Sequence, residues 1–257
     1  MSSYRQRLAL GSLSVCIAAV KLTKRHTHSV KRLVLWDIDG TLVRGGDIGA
    51  RAFDLAIEHV LGVRPPERVR MSGKTDPQIV REYLTMLGRE EDEHIPLILS
   101  HLEAELATAE GLIREHGIVL PGITEILPRL DADPDFRQSV LTGNIAPNAL
   151  VKLAAFSLER WLDLDIGAYG SDHADRNALV PVALERAARL RDMTYAPSEV
   201  WVVGDSENDL ACARAGGVRC LLVATGRASL DDLRPLDPDA LFEDLADVEN
   251  VIQLFRS

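Results

Sequence analysis

Two aspartates separated by a single residue, Asp37 and Asp39, close an apolar run from Leu33 to Trp36 and are followed at once by Gly40 and Thr41. A carboxylate can act as a nucleophile or as a ligand for a hard cation. A second carboxyl two residues on can carry a proton to or from the reacting atoms. Carboxylates crowded at the end of a buried strand repel each other, so the pair calls for a cation, a proton or a catalytic reason. A polar strand end running into a turn is the bland alternative, and Asp-Gly alone would merit it. Two later stretches carry the same kind of side chain. Leu141-Thr142-Gly143-Asn144 offers a hydroxyl, although it also reads as an ordinary strand-end turn. Gly204-Asp205-Ser206-Glu207-Asn208-Asp209 offers three carboxylates. These would equally suit a helix start, with Asp205 as cap and Glu207 and Asp209 favouring the dipole.

The elements that must position these residues follow from periodicity. Leu33 to Trp36 suits a strand buried on both faces of a parallel sheet. After the flexible exit at Gly45-Gly46, a helix is expected from about Ala50 to Gly62, and a loop from Met71 to Gln78 capped by Asp76 with Pro77 at the first helical position. That helix runs to Gly88, and a longer helical stretch covers about Glu91 to Glu115. Residues 46–117 therefore read as helices without a strand. Helix and strand alternate from Leu120 onward: a helix at Ile123 to Leu130, a strand at Gln138 to Leu141, a helix to Phe156, a strand near Ile166 to Tyr169, and a helix from Leu179 to Leu190. Then come a strand at Val200 to Val203, a last helix at Leu210 to Ala215, a strand at Arg219 to Val223 and a short one around Leu241. The pattern predicts an α/β fold, a doubly wound parallel (Rossmann-like) sheet with an inserted all-helical unit. The expected divisions are 1–32 as an N-terminal extension, 33–45 with 118–257 as the α/β core, and 46–117 as the helical insertion. Ligands of such sheets bind at the carboxyl ends of the strands, where Asp37, Thr142 and Asp205 all fall.

Asp37-Ile38-Asp39-Gly40-Thr41 resembles the first motif of the haloacid dehalogenase-like hydrolase superfamily, most of whose members are magnesium-dependent phosphatases. The resemblance implies that Asp37 is the nucleophile and Asp39 the general acid/base. Thr142-Gly143-Asn144 resembles the second motif, which implies that Thr142 and the following residues, Gly143 and Asn144, hold the phosphoryl group. Gly204 to Asp209 resembles the fourth, which makes Asp205 a Mg²⁺ ligand beside the Asp37 carboxylate and the Asp39 carbonyl. Asp209 and Ser206 would then support the site from behind. Oxygen ligands with water and substrate are what Mg²⁺ prefers. The third motif departs from the pattern: the family places a lysine before the helix preceding the fourth motif, and Ser171 to Leu179 contains none. Arg176 occupies the place and is assigned the task of steadying Asp37 and the phosphate, with pairing to Asp172 or Asp175 on a solvated turn as the alternative. Lys152 is the next candidate for that charge. His173, with no second histidine nearby, is read as a loop residue. The helical insertion resembles the family's cap, and Ser72 to Asp76 lies where related enzymes carry a substrate-specificity loop. Lys74, with Thr75 beside it, would meet an anionic leaving group there; a solvated loop lysine is the equal alternative.

Composition narrows the function further. Hydrophobic residues are 46% and charged residues 26% of the 257, as in soluble globular proteins. The net charge is −10, and residues 1–36 hold seven of the Lys/Arg and none of the Asp/Glu, so the body is strongly acidic. Nucleic acid is therefore not an expected partner. The apolar run Leu8 to Val20 is too short for a confident membrane span. It has features of a signal-peptide core and of a transit peptide, yet no small-x-small cleavage site follows cleanly, and an N-terminal extension of a cytoplasmic protein is the adopted reading. Three cysteines without ligand spacing fit a reducing compartment. The expected protein is a monomeric or homodimeric Mg²⁺-dependent phosphatase acting on a small phosphorylated metabolite through an aspartyl-phosphate. A phosphomutase of the β-phosphoglucomutase type keeps both aspartates and is the enzymatic alternative. A non-enzymatic binding module on the same fold is the other, disfavoured by the complete acidic set. Dehalogenation is disfavoured because it has no need of Asp39.

Overall fold

A computed structural model describes residues 31–89 and 91–257, so the readings made on the first 30 residues lie outside the described part. Five strands form one sheet: β1 (Arg32–Trp36), β4 (Phe136–Val140), β5 (Val200–Gly204), β6 (Arg219–Val223) and β7 (Ala240–Phe242), in the order β4-β1-β5-β6-β7. Every neighbouring pair is parallel. The continuous apolar runs make sense because alternate residues serve different cores. Val34, Trp36, Trp201, Val203, Leu221 and Val223 face one core. It is completed by α5 (Ile123–Asp131), α6 (Ala146–Ala154) and α10 (Val248–Arg256). Leu33, Leu35, Val200, Val202, Cys220 and Leu222 face the other, under α7 (Leu179–Arg191) and α8 (Glu207–Ala215). Fully burying one such side chain stabilises the fold by about 1.5–3 kcal/mol, which makes the central strands β1 and β5 a firm base for whatever follows them. No helix among the described residues is long and apolar enough to cross a membrane.

The remaining helices, α1 (Ile48–Leu61), α2 (Asp76–Met86), α3 (His94–Ala107) and α4 (Glu110–His116), share a third core built on Phe53, Ile57, Ile79, Tyr83, Ile98, Leu102, Leu106 and Ile113. The chain leaves for this helical unit and returns from it through a two-stranded antiparallel ribbon, β2 (Val43–Arg44) paired with β3 (Ile118–Val119).

Several local expectations are corrected. The stretch Ile166 to Tyr169 is not a strand: Leu164–Ile166 forms a 3₁₀ turn, and only Ala168 bridges to Leu141. The long stretch from Glu91 breaks into α3 and α4 around Thr108. The cap of α2 is Thr75, whose hydroxyl accepts from the Gln78 amide, and Asp76 is the first helical residue. The helix ending at Ala215 is not the last, since α9 (Leu230–Leu233) and α10 follow it.

Candidate active site

Register alone brings three of the expected residues together. Trp36 lies opposite Val140 on one side and Val203 on the other, so the residues just beyond β4, β1 and β5 share one edge of the sheet. Asp37 continues β1 and donates its amide to the Val203 carbonyl at 2.8 Å. Asp205 follows Gly204, and Thr142 donates its amide to the Ala168 carbonyl at 3.0 Å, which turns the chain after β4. All three are buried.

Carboxylate oxygens of Asp37, Asp205 and Asp209 lie within 4.8 Å of one another. Burial, reinforced by the Asp209 and Asp37 charges, pushes the Asp205 carboxyl up to about 8. Burial likewise raises Asp37 to about 6, although the Arg176 guanidinium pulls in the opposite direction. Asp209 is satisfied on both oxygens: Oδ2 accepts the Ser206 amide at 3.1 Å and its hydroxyl at 2.6 Å, and Oδ1 accepts Arg176 Nη2. Asp205 is not satisfied, because its buried Oδ1 has no hydrogen-bond partner. The backbone crowds that carboxylate closely, since a Cβ on Gly226 would fall 1.6 Å from Oδ2 and one on Gly40 2.7 Å from it. A lone buried carboxylate oxygen beside a second carboxylate is the donor set that a hard cation takes. Asp37 and Asp205, with Asp209 beside them, are therefore residues that could hold a hard cation such as Mg²⁺.

Arg176 sits in a 3₁₀ turn whose cap, Asp175, accepts the Asn177 amide. Its Nη2 lies 3.2 Å from Asp37 Oδ1 and 3.3 Å from the Leu141 carbonyl. Burial works against its charge, but Asp209 and Asp37 outweigh that and drive its pKa up. The alternative pairing with Asp172 is not found, because Asp172 is held by Arg186. Asp39, in contrast, is half exposed, and its hydrogen bonds converge on Oδ2: Lys152 Nζ at 2.6 Å and Asn144 Nδ2 at 2.8 Å. Lys152 also donates to Asn144 Oδ1 at 2.6 Å, and Asn144 Nδ2 donates to Thr142 Oγ1 at 2.8 Å.

The loop before α2 packs directly on this edge. The Asp76 amide donates to the Gly143 carbonyl at 2.7 Å, and Asp76 Oδ2 accepts the Ile145 amide at 2.8 Å. A Cβ on Gly143 would meet the Lys74 carbonyl at 2.0 Å, so only glycine allows the two backbones this close. Lys74 lines the cavity with its ammonium 2.6 Å from Glu82. Thr75 is a correction: it is fully buried, caps α2 and donates to the Ala174 carbonyl at 2.6 Å, with no face toward the cavity. The sequence reading did not pair Lys152 with Asp39, nor find Asp76 beside Gly143. Both lie on the buried faces of their helices at the spacing of apolar residues, and a charge at such a position is the signal that points to them.

A cavity of about 390 Å³ opens between this edge and the helical unit, lined by Asp37, Asp39, Thr142, Lys152, Arg176 and Asp205 among others. A sequence model of the haloacid dehalogenase-like hydrolases matches residues 34–214. The chain belongs to that family. Curated relatives include a phosphoglycolate phosphatase of Salmonella typhimurium, 26% identical over 234 residues, covering 84% of this chain and 90% of its own. Another is the pyrophosphatase PpaX of Halalkalibacterium halodurans, 20% identical over 229 residues, covering 85% and 95%. Among solved structures, CbbY from Rhodobacter sphaeroides in complex with phosphate superimposes with a TM-score of 0.61 at 19% identity, covering 85% of this chain and 96% of its own. That likeness establishes the shared family fold, a parallel sheet with helices on both faces.

Proposed function

We propose that this haloacid dehalogenase-like phosphatase hydrolyses a small phosphorylated metabolite through an aspartyl-phosphate on Asp37, with Mg²⁺ held by Asp37, the Asp39 carbonyl and Asp205. The observation that carries the reading is the convergence of Asp37 and Asp205 on one sheet edge with an unpartnered buried oxygen on Asp205. Bound Mg²⁺ supplies positive charge that offsets the clustered carboxylates and the phosphoryl oxygens.

The chain's own residues supply the rest. An Asp37 carboxylate oxygen attacks phosphorus, and the bond from phosphorus to the ester oxygen breaks. Asp39 gives its proton to that oxygen, so the leaving group departs as a neutral alcohol. With Oδ2 engaged by Lys152 and Asn144, Oδ1 is the oxygen that carries the proton. In the second half Asp39 takes a proton from water, whose oxygen attacks phosphorus; the bond from phosphorus to Asp37 breaks, and inorganic phosphate leaves. Arg176, fixed on Asp37 by Asp209 and the Leu141 carbonyl, offsets charge throughout. Thr142, Gly143 and Asn144 cradle the phosphoryl group. Residues 46–117 act as a cap on the 33–45 and 118–257 core, closing the cavity against water.

Acid-quench trapping of the phosphoenzyme from a radiolabelled ester tests the reading directly. Label is expected on wild type and absent from Asp37→Asn, and turnover is expected to vanish in excess EDTA. Label retained by Asp37→Asn would overturn the nucleophile, and full turnover in EDTA would overturn the cation.

A further inference from the structure

The cavity is bordered by hydrocarbon as well as by the carboxylates. Phe53 of α1, Ile79 of α2, Leu106 of α3 and Ile113 of α4 all line it, one from each helix of the cap. These four also belong to the cap's own core and are at most 5% exposed. The recess therefore borders the core that the four helices share. Partly buried Ile48 and Met71 extend the same wall.

Charge is arranged differently. Lys74 borders the recess, but Glu82 already matches its ammonium at 2.6 Å. Arg44 and Arg227 line the cavity from exposed positions, and Arg44 donates to the Thr225 carbonyl. A polyhydroxylated leaving group pressed against the four apolar residues would lose water without gaining partners for its hydroxyls. An apolar one would gain from each methylene buried. The whole space, about 390 Å³, lies in the ~300–1,000 Å³ range of small-molecule sites and greatly exceeds what a phosphoryl group fills.

We propose that the natural leaving group is an alcohol with an apolar body, an alkyl chain or an aromatic ring, seated against Phe53, Ile79, Leu106 and Ile113. The assignment rests on the phosphatase reading above and specifies its substrate class. The reaction is the one already written, with the apolar alcohol taking the Asp39 proton as it leaves.

Primary n-alkyl phosphates test this cleanly, because ethyl, butyl and hexyl esters share nearly the same intrinsic reactivity and differ in apolar length. We expect kcat/KM to rise about fourfold per added methylene until the recess is full, and hexyl phosphate to exceed glucose 6-phosphate. Leu106→Asn, its fold checked by circular dichroism, should lower the hexyl-to-ethyl ratio at least about tenfold. Should that variant not fold, competitive inhibition of wild type by n-alkylphosphonates reads the same quantity, with Ki falling as the chain lengthens. A flat or falling series in an enzyme that still hydrolyses acetyl phosphate would overturn the apolar assignment and leave the phosphatase reading standing. Absence of turnover on every ester, with no phosphoenzyme from acetyl phosphate, would instead remove the phosphatase reading and this inference with it.

Discussion

Lys152 Nζ lies 2.6 Å from Asp39 Oδ2, and the same ammonium lies 2.6 Å from Asn144 Oδ1. One buried cation thus ties the carboxyl assigned to proton transfer to the turn assigned to the phosphoryl group. Asp39 is half exposed, so without this tie only the Asn144 amide would hold its side chain.

Replacing Lys152 with Met keeps the shape of the buried stem and removes the tie. The expected loss falls on the step in which Asp39 protonates the leaving oxygen, about 10²-fold for alkyl phosphates. A nitrophenyl ester, whose leaving group departs without protonation, should lose far less. Steady-state rates on the two ester classes check this; an equal loss on both would mean that Lys152 serves the phosphoryl group or the fold, not Asp39.

Asp76 gives a pH dependence of stability. Burial pushes its carboxyl from 3.8 up to about 6, with Lys152 and the Ile145 amide opposing the rise. The folded protein therefore binds this proton more tightly than the unfolded chain. The associated stability is fully present below about pH 4 and is lost as pH rises to about 6. The difference amounts to roughly 3 kcal/mol for two pKa units. In Asp76→Asn the side-chain oxygen still accepts from Ile145, while the titration is gone. Unfolding free energies of wild type minus variant should thus fall by about that amount between pH 4 and 6.5 and then level off. A difference constant across that window would contradict the raised carboxyl.

How much of this was legible in the sequence depends on what kind of information each residue carries. Asp37, Thr142 and Asp205 could be placed at one edge because parallel strands in a doubly wound sheet all end on the same side, and each residue followed an apolar run. Ile166 to Tyr169 looked like one more such strand, yet its Ala168 makes a single bridge and the residues before it coil into a 3₁₀ turn. An apolar run shows burial and not backbone conformation. The ribbon of Val43 with Val119 is two residues long on each side, too short for any periodicity to register. Asp76 and Lys152 were hidden for another reason. Their partners are 69 and 113 residues away, and no local pattern encodes which buried charge a distant loop will meet.

The glycines around Asp205 offer a test independent of catalysis. A Cβ at Gly226 would overlap the Asp205 carboxylate, whereas one at Gly111 would meet nothing within 4 Å. If Mg²⁺ raises the thermal midpoint of the wild-type protein, as the proposed site requires, Gly226→Ala should displace Asp205 and reduce that rise. Gly111→Ala, in the first turn of α4, should respond to Mg²⁺ as wild type does and change stability little, by less than about 1 kcal/mol. Equal Mg²⁺ responses in both variants would show that Asp205 does not hold the cation.

Arg176 is the remaining departure from the family pattern, and its surroundings bear on what a lysine would do there. The guanidinium reaches Asp37, Asp209 and the Leu141 carbonyl from a position only 5% exposed. All three contacts fall on Nη2, so a lysine ammonium could match them in number, but its shorter stem carries a compact charge less far from the same backbone position. Arg176→Ala leaves two buried carboxylates facing each other without a counter-charge. It should cost about 3–5 kcal/mol of stability by that route. Activity should fall by about 10²–10³-fold through loss of a positioned charge. Arg176→Lys should keep more of both and still fall short of wild type. Because added cation also offsets carboxylate repulsion, Mg²⁺ should raise the thermal midpoint of Arg176→Ala by more than that of wild type. Thermal scans with and without Mg²⁺, alongside kcat/KM for the three proteins, read every part of this. A folded Arg176→Ala protein with near-normal kcat/KM would show that another residue, with Lys152 the nearest in kind, supplies the charge.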